Sequence, residues 1–284
     1  MAKPRQPPPT SKLLIVSTDA GGVTDEIQTK LRASFDDFRV VDFHPRKDFT
    51  SHLTSRATVV VAGGDGTIGY VARALAGTRR RLGILSLGTF NNFALGLGMP
   101  EDLDKAIAVV RAGKTRPVTL GRANDKPFLE AAAIGLFGAE IVLGDEAKDK
   151  AFGQLTKGFQ AVAAARPFEY EITGDFRGRG RALSLVFTNT PSTGAQMPIG
   201  DKKPTEPYLE LSVPVGTSRS DIVSRMLSSA LLDKHAEEDG MSIRFKTVTI
   251  TTKPLVTVYA DNAKVGRTPV TIAAHPGALQ VILP

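Results

Sequence analysis

The segment Gly63-Gly64-Asp65-Gly66-Thr67 has the composition of a loop that binds phosphate. It follows the β-branched run Thr58-Val59-Val60-Val61-Ala62, and an apolar pattern with helical spacing begins directly after it. Glycines allow the backbone to approach a ligand closely, and N–H groups at the start of a helix attract phosphate oxygens. Thr67 can cap the helix or form a hydrogen bond to a phosphate.

Asp65 distinguishes this loop from a simple phosphate cradle. A carboxylate beside phosphates makes chemical sense if it accepts a proton from an attacking hydroxyl or binds a metal ion. No Gly-Lys-Ser/Thr follows, so the loop is not the common P-loop, and it is not the dinucleotide fingerprint either. Taken alone, the five residues also fit a glycine-rich turn in which Asp65 only caps a helix.

Strands and helices alternate along the first part of the chain, which predicts an α/β domain with a parallel sheet. The predicted strands cover residues 13–16, 39–43, 58–62 and 82–85. Three helices are predicted: one begins at Thr24, one begins directly after the glycine loop, and one begins at Asp102. The basic, proline-rich residues 1–12 predict a flexible arm, so the first domain is predicted to span residues 13–118.

Short β-type runs dominate after Pro117, which predicts a mainly antiparallel β-rich domain over residues 119–284. The predicted strands cover residues 118–120, 128–131, 170–172, 183–187, 209–213, 242–245, 248–251, 256–259 and 279–283. Two helices are predicted among them, at residues 152–165 and 222–232. The final strand could return to either domain.

Charge and composition exclude several classes of site. The 36 Lys and Arg residues outnumber the 29 Asp and Glu residues, and the net charge of +7 favours partners that carry phosphate, including nucleotides, nucleic acids and anionic membranes. Because the chain has no cysteine, disulfides, thiolate metal sites and cysteine nucleophiles are excluded. No apolar stretch of about eighteen residues is present, so no transmembrane helix is expected.

A second block, Leu85-Ser86-Leu87-Gly88-Thr89-Phe90-Asn91-Asn92-Phe93-Ala94, follows the glycine loop. With Val59–Thr67, it resembles the diacylglycerol kinase catalytic family, which includes bacterial lipid kinases, sphingosine kinases and ceramide kinases. The block looks like the family's PLGTxNxFA segment, and the spacing between the two blocks matches. Weaker similarity extends the resemblance over nearly the whole chain, at residues 97–100, 128–137, 188–191 and 265–269.

The resemblance implies an ATP-dependent lipid kinase in which an α/β nucleotide domain precedes a β-rich domain, with the active site in the cleft between them. The acceptor would be diacylglycerol, ceramide or a sphingoid base, and the cofactors would be ATP and Mg²⁺. Asn91 or Asn92 would bond the nucleotide or fix its loop, although either also suits a helix start. The residues implied in ATP binding are Ser17, Thr18, Gly63, Gly64, Asp65, Gly66, Thr67, Gly88, Thr89, Asn91 and Asn92.

The sequence departs from the family where many bacterial members carry Asp-Gly-Glu with a glutamate proposed as the base. The matching residues here are Asp261-Asn262-Ala263, and Ala263 cannot accept a proton. Asp65 is therefore the expected catalytic base, as for the corresponding aspartate in the sphingosine kinase branch. Asp65 and Asp261 are the candidate metal contacts, and Glu140 is a candidate contact to the acceptor headgroup.

Two other segments also differ from the family. Ser17-Thr18-Asp19-Ala20-Gly21 replaces a first turn that often carries Asn-Pro, so Ser17 or Thr18 would supply that nucleotide contact. Thr205-Glu206-Pro207-Tyr208 replaces an acidic Asp-Asp-Gly segment, so no structural magnesium is expected there. The basic residues at positions 79–81 and at 177, 179 and 181 could contact anionic headgroups, or they could be solvated loops.

Three alternatives remain open on the sequence. Ala263 allows a catalytically weakened regulator that binds nucleotide or lipid. An NAD kinase would share the glycine loop but not the second block. Charge alone suggests a nucleic-acid-binding protein, but the sequence shows no aromatic residues interleaved on a basic face, and no nucleic acid is expected. The expected setting is the inner face of the cytoplasmic membrane, where an anionic surface presents the lipid; the oligomeric state is left open.

Overall fold

The computed structural model describes residues 11–17, 22–44, 57–135, 166–194, 197–212, 242–261 and 263–284. The chain divides into two compact units. The first consists of Met1–Val118 and Gly277–Pro284, and the second of Thr119–Pro276. Among the described helices, none combines the length and the apolar character that a membrane crossing requires.

A parallel sheet in the order β2-β1-β3-β4 forms the centre of the first unit. The last residues of a long strand, β18, add to it in parallel beside β4. These strands are β1 (Lys12–Ser17), β2 (Arg39–Phe43), β3 (Thr58–Gly63), β4 (Arg81–Ser86) and β18 (Val270–Ile282). Every residue of β3 is buried, as expected for a central parallel strand that is covered on both faces.

Four helices accompany this sheet: α1 (Asp25–Ser34), α2 (Asp65–Leu75), α3 (Asn92–Gly96) and α4 (Leu103–Ala112). The predicted cap at Thr24 is confirmed, because its hydroxyl accepts the Ile27 N–H at 3.3 Å. Asp102 caps α4 in the same way, since its carboxylate accepts the Lys105 N–H at 2.9 Å. Such caps satisfy N–H groups that have no partner inside the helix.

Antiparallel strands make up the second unit, which confirms the predicted fold class of an α/β domain followed by a mainly antiparallel β domain. One sheet has the order β14-β13-β10-β7-β16-β17. Its strands are β7 (Ala131–Gly135), β10 (Ser184–Thr188), β13 (Leu209–Ser212), β14 (Ser242–Phe245), β16 (Thr257–Ala260) and β17 (Ala263–Arg267).

The second sheet of this unit contains the first part of β18, followed by β15, β8 and β9. The additional strands are β5 (Thr115–Ala123), β6 (Lys126–Phe128), β8 (Phe168–Gly174), β9 (Gly178–Ala182), β11 (Ser192–Thr193), β12 (Met197–Pro198) and β15 (Thr247–Lys253). Apolar side chains from both sheets form one buried cluster, which includes Ile134, Phe187, Leu211, Ile172, Ile250 and Ile272. This cluster is the core of the second unit.

The strand predicted over residues 128–131 is wrong in its bounds. Strand β6 ends at Phe128 and β7 begins at Ala131. The two residues between them donate their N–H groups to the carboxylate of Asp261 rather than to a neighbouring strand, which interrupts the ladder. The helices predicted at residues 152–165 and 222–232 lie outside the described residues, as do residues 1–10 of the predicted arm.

Lys202 is an unusual interior residue of the second unit because its side chain is almost completely buried, with 1% exposure. Its ammonium donates to Asn189 Oδ1 at 3.1 Å and to the carbonyl of Lys203, and it lies 5.6 Å from the centroid of the Tyr208 ring. Burial lowers the pKa of Lys202 to about 8, although the charges of Glu206 and Glu210 oppose that shift.

The folded state therefore binds the Lys202 proton less tightly than the unfolded chain, whose lysines keep a pKa near 10.5. We predict that the free energy of unfolding of the wild type, relative to Lys202→Met, increases from pH 7 to pH 9.5. The increase should be on the order of 1–2 kcal/mol. Urea unfolding at both pH values measures it, with Lys203→Met at the neighbouring exposed position as the control. An equal difference at both pH values would contradict the prediction.

Candidate active site

The strand order of the first unit creates a crevice where phosphate ligands commonly bind. Strand β2 pairs with one edge of β1, and β3 pairs with the opposite edge. The strand order therefore reverses at β1, and the carboxyl ends of β1 and β3 lie at a topological switch point. In open α/β sheets, ligands bind outside the strand ends at such a point. Ser17 ends β1 and Gly63 ends β3, so both lie at this edge.

Ser17, Gly63 and Thr67 are in close contact there. A Cβ atom added at Gly63 would lie 3.0 Å from Ser17 Cβ and 3.1 Å from Thr67 Cβ. Both hydroxyl-bearing residues are largely buried, at 4% and 8% exposure. Three residues that the sequence marked as ATP contacts are therefore assembled by the ends of β1 and β3 and the first turn of α2.

The glycine loop packs directly against the second block. A Cβ atom added at Gly88 would lie 2.6 Å from Gly64 Cα, so the two backbones meet at a place where a larger residue does not fit. The Leu87 N–H donates to the Gly63 carbonyl at 2.9 Å and continues the pairing of β3 with β4. The two predicted nucleotide segments are thus one continuous surface.

Asn91 organises the second block from a left-handed backbone conformation with φ of 55°. Its side chain closes a ring with one residue of the loop: Oδ1 accepts the Gly88 N–H at 3.0 Å, and Nδ2 donates to the Gly88 carbonyl at 2.8 Å. Asparagine tolerates this conformation better than most residues because its short polar side chain can bond locally. The structure therefore shows Asn91 fixing the loop.

Asp65 connects the two blocks. It is the first residue of α2, and its Oδ2 accepts the Asn91 N–H at 2.8 Å. The residue is half-buried, and a carboxylate at the start of a helix is stabilised by the helix dipole. Oδ2 of Asp65 therefore fixes the position of the Asn91 loop relative to the glycine loop. The carboxylate lies at the edge of the sheet where α2 begins.

Two family models match this chain. The first, described as "Diacylglycerol kinase catalytic domain", matches residues 14–123. The second, described as "YegS C-terminal NAD kinase beta sandwich-like domain", matches residues 146–283. A protein of Cronobacter sakazakii named "Probable lipid kinase YegS-like" is 30% identical over 239 residues, which cover 80% of this chain and 78% of the relative. The chain belongs to the diacylglycerol kinase catalytic-domain family.

A relative from Klebsiella pneumoniae, also named "Probable lipid kinase YegS-like", is 38% identical over 144 residues. That match spans about half the length of both chains, at 48% of each. The crystal structure of a putative diacylglycerol kinase from Bacillus anthracis aligns over 97% of this chain and 98% of its own, with a TM-score of 0.77 and 24% identity. Yeast NADH kinase aligns with a TM-score of 0.53 and 13% identity. These two likenesses show a shared fold.

The remaining residues that were predicted to bind ATP either lie at the same edge of the sheet or fall outside the described residues. Gly66 and Thr89 are exposed, and Asn92 begins α3 with its side chain buried at 1% exposure. Thr18 lies outside the described residues, as does the predicted headgroup contact Glu140.

Asp261 has a main-chain role in the second unit. Its two carboxylate oxygens accept the Leu129 N–H at 3.0 and 3.2 Å, and Oδ1 accepts the Glu130 N–H at 2.9 Å. Its backbone is left-handed, with φ of 47°, and Ala263 is exposed at the start of β17. Metal binding by Asp261 stays a prediction. Within the described ranges, no group of three or more His, Asp and Glu side chains is placed to hold a metal ion.

Sequence reasoning missed the polar residues that converge on Glu130 in the second unit. Asn189 donates from Nδ2 to the carbonyls of Leu129 at 2.8 Å and Thr119 at 3.0 Å, and the Thr193 hydroxyl donates to Glu130 Oε2 at 2.8 Å. Asn189 belongs to a segment that resembled the family, but no spacing rule connects it to residues about 60 positions away.

The close approach of Gly88 to Gly64 can be tested by adding a methyl group at Gly88. Gly88→Ala places a methyl group 2.6 Å from Gly64 Cα, so the loops must separate and the Asp65–Asn91 bond must lengthen. We expect nucleotide affinity to fall by roughly tenfold or more, since loss of about 1.4 kcal/mol is tenfold. Isothermal titration with ATP and Mg²⁺ measures this loss.

Gly178→Ala is the matched control, because no atom lies within 4 Å of the added methyl group. Wild-type affinity in Gly88→Ala would show that the contact between the two loops does not shape the nucleotide site.

Proposed function

We propose that this protein is an ATP-dependent lipid kinase that transfers the γ-phosphoryl group of ATP to the hydroxyl of a lipid. The observation that carries the proposal is the Asp65–Asn91 bond, which joins the glycine loop to the second block at the strand switch point. Family membership and the names of the relatives, which are called probable lipid kinases, support this assignment.

The geometry suits a nucleoside triphosphate. The crevice combines the N-terminus of α2, a glycine contact that excludes a Cβ atom, and the hydroxyls of Ser17 and Thr67. Backbone N–H groups at a helix start bind phosphate oxygens. Mg²⁺ is commonly held by one or two carboxylates together with substrate phosphates, so the single carboxylate of Asp65 fits that ion. Magnesium would supply charge neutralisation to the transferred group.

Asp65 is proposed to accept the proton of the lipid hydroxyl. The hydroxyl oxygen forms a bond to the γ-phosphorus as the bond to the bridging oxygen of ADP breaks, and ADP leaves. The proton of the hydroxyl passes to the Asp65 carboxylate. Phosphoryl transfer depends mainly on positioning and charge stabilisation, and the fixed carboxylate contributes to positioning.

The lipid would be presented by an anionic membrane at the cytoplasmic face, to which the chain would attach peripherally. Its net charge of +7 supports this proposal. Each basic side chain near such a surface contributes about 1 kcal/mol. The basic residues proposed for this contact are Arg79, Arg80, Arg81, Arg177, Arg179 and Arg181.

A catalytically weakened regulator of the same fold is the second candidate. The observation that favours it is Ala263, which stands at the position of the family's glutamate and cannot accept a proton. An NAD kinase is a weaker candidate, since only the fold and the glycine loop support it.

Transfer of ³²P from γ-labelled ATP in Mg²⁺ and mixed micelles tests the proposal, with dioctanoylglycerol, ceramide, sphingosine and monoacylglycerol as acceptors and NAD as a soluble control. We expect label on at least one lipid and none on NAD. Label on no lipid, from protein that binds ATP, would favour the regulator, and label on NAD alone would identify an NAD kinase.

Asp65→Asn and Asp65→Ala, measured in the same assay, separate two roles of this carboxylate. The asparagine oxygen can still accept the Asn91 N–H but is neither a base nor a charged ligand for Mg²⁺. Transfer should therefore fall by about 10²–10⁴-fold, while the affinity for ATP measured without Mg²⁺ is kept. Alanine removes both roles and should weaken ATP binding as well. Full activity of Asp65→Asn would exclude Asp65 as the base, and equal ATP affinity in both variants would exclude the bond to Asn91 as a determinant of nucleotide binding.

A further inference from the structure

Leu255 is the one large apolar side chain of the described residues that is clearly exposed, with 51% of its surface accessible to solvent. It lies in the short connection between β15 and β16, directly after Lys253 and Pro254. This connection passes from one sheet of the second unit to the other, so Leu255 lies at one end of the two sheets. A single exposed leucine is common on protein surfaces, and its surroundings decide whether it has a role.

Two carbonyl groups beside this side chain are hydrogen-bonded within the protein. The Thr252 hydroxyl donates to the carbonyl of Pro254 at 2.8 Å. Arg267 donates from Nη2 to the carbonyl of Leu255 at 2.8 Å. Pro254 itself has no N–H group. The exposed leucine is therefore attached to a backbone whose carbonyl groups have partners that do not come from the solvent.

Thr268 adds two more bonds from the segment that follows β17. Its hydroxyl accepts the Val256 N–H at 3.0 Å, and its own N–H donates to the Val256 carbonyl at 2.9 Å. Where water is excluded, a main-chain polar group without a partner costs free energy, so segments that enter lipid must satisfy these groups internally. The connection at Leu255 meets this requirement at four main-chain groups, and an ordinary surface loop, bonded to water, does not.

Basic side chains surround Leu255 at this end of the unit. The strand register places Lys253 opposite Glu169 and Glu169 opposite Arg181, so one row across β15, β8 and β9 carries two positive charges and one negative charge. Arg166 is exposed directly before β8 begins, and Arg267 is exposed at the end of β17. We call Leu255 and these four basic residues the Leu255 end. Its four positive charges face the single negative charge of Glu169.

Asp125, an acidic residue near the Leu255 end, has its own basic partner. It lies in the turn between β5 and β6, where its carboxylate is 3.3 Å from the Lys126 ammonium. This turn lies beside the start of β18, because Asn124 Oδ1 accepts the Thr271 N–H at 2.9 Å. The turn therefore adds no net charge to the excess of positive charge around Leu255.

We propose that the Leu255 end attaches the protein to an anionic membrane, with the leucine inserted into the lipid and the four basic residues on lipid phosphates. This inference rests on the proposed function, because a lipid kinase must reach its acceptor at a membrane. Stable peripheral attachment needs two signals, and a hydrophobic insertion combined with basic residues supplies both. An anionic membrane offers an apolar layer beneath a continuous negative charge, which matches an exposed leucine within a basic rim.

A tryptophan at position 255 reports insertion directly, because the chain has no tryptophan of its own. The emission of Leu255→Trp should shift to shorter wavelength on addition of vesicles with equal parts of phosphatidylcholine and phosphatidylglycerol. Lipids brominated on their acyl chains should quench it. Lys105→Trp, at an exposed position of α4, is the control and should change little. An emission of Leu255→Trp that the vesicles leave unchanged overturns the inference.

Co-sedimentation with the same vesicles measures the apolar contribution to binding. Leu255→Ser should weaken binding by about tenfold, because transfer of a leucine side chain out of water is worth at least one power of ten. Leu255→Met keeps an apolar side chain and should bind like the wild type. Equal binding of Leu255→Ser and the wild type overturns the inference.

The charge contribution is measured with Lys253→Gln. This variant should bind anionic vesicles about fivefold more weakly, and the difference should shrink at high salt. On vesicles of phosphatidylcholine alone, it should bind like the wild type. Lys105→Gln makes the same change of charge in the first unit and should have a much smaller effect. Equal losses in the two lysine variants would show that net charge, and not this surface, directs binding, which overturns the inference.

Melting temperature and transfer to dispersed dioctanoylglycerol, without vesicles, should be unchanged in Leu255→Ser because the side chain is exposed. A wild type that phosphorylates dioctanoylglycerol but binds no anionic vesicle overturns the membrane surface and leaves the kinase. Vesicle binding through Leu255 without transfer to any lipid overturns the proposed function and supports the surface. A changed sedimentation coefficient of Leu255→Ser in the absence of vesicles assigns the surface to a second copy of the chain and overturns the membrane contact.

Discussion

The hydrogen bond from the Asn91 N–H to Asp65 Oδ2 is the interaction on which the candidate site depends. It joins two loops that follow the neighbouring parallel strands β3 and β4. Gly88 packs on Gly64, and this contact forms only while the two loops remain close to each other. The same carboxylate is the proposed base, so one residue combines loop geometry with chemistry. A nucleotide would therefore meet a surface whose shape is already set, which lowers the entropic cost of positioning it.

The second unit uses a comparable strategy with different groups. Asp261 binds backbone N–H groups, Asn189 binds backbone carbonyls, and Lys202 supplies a buried positive charge behind Asn189. The carboxylate that this layer orients is Glu130. Although position 263 is alanine, Glu130 is therefore a carboxylate that hydrogen bonds hold in place beside the Asp261 turn.

Local chemistry explains which features were predictable from the sequence. Buried parallel strands are continuous apolar runs, the Thr24 cap precedes a helical pattern, and the glycine loop sits between a strand and a helix, so each is visible in a short window. The break at Leu129–Glu130 was not predictable, because its cause is Asp261, about 130 residues away. Lys202 was missed for the same reason: nothing adjacent in sequence indicates that a lysine is buried, since its partner Asn189 is brought to it by the fold.

Hydrogen exchange of the loop amides tests most directly whether Asp65 and Asn91 make the two blocks one nucleotide site. Peptides covering residues 63–67 and 87–92 are followed by mass spectrometry in wild type and Asp65→Ala, with and without ATP and Mg²⁺. The account predicts that ATP protects both segments of the wild type, and that residues 87–92 exchange faster in Asp65→Ala even without nucleotide. Protection of one segment alone, or unchanged exchange of residues 87–92 in the variant, would contradict it.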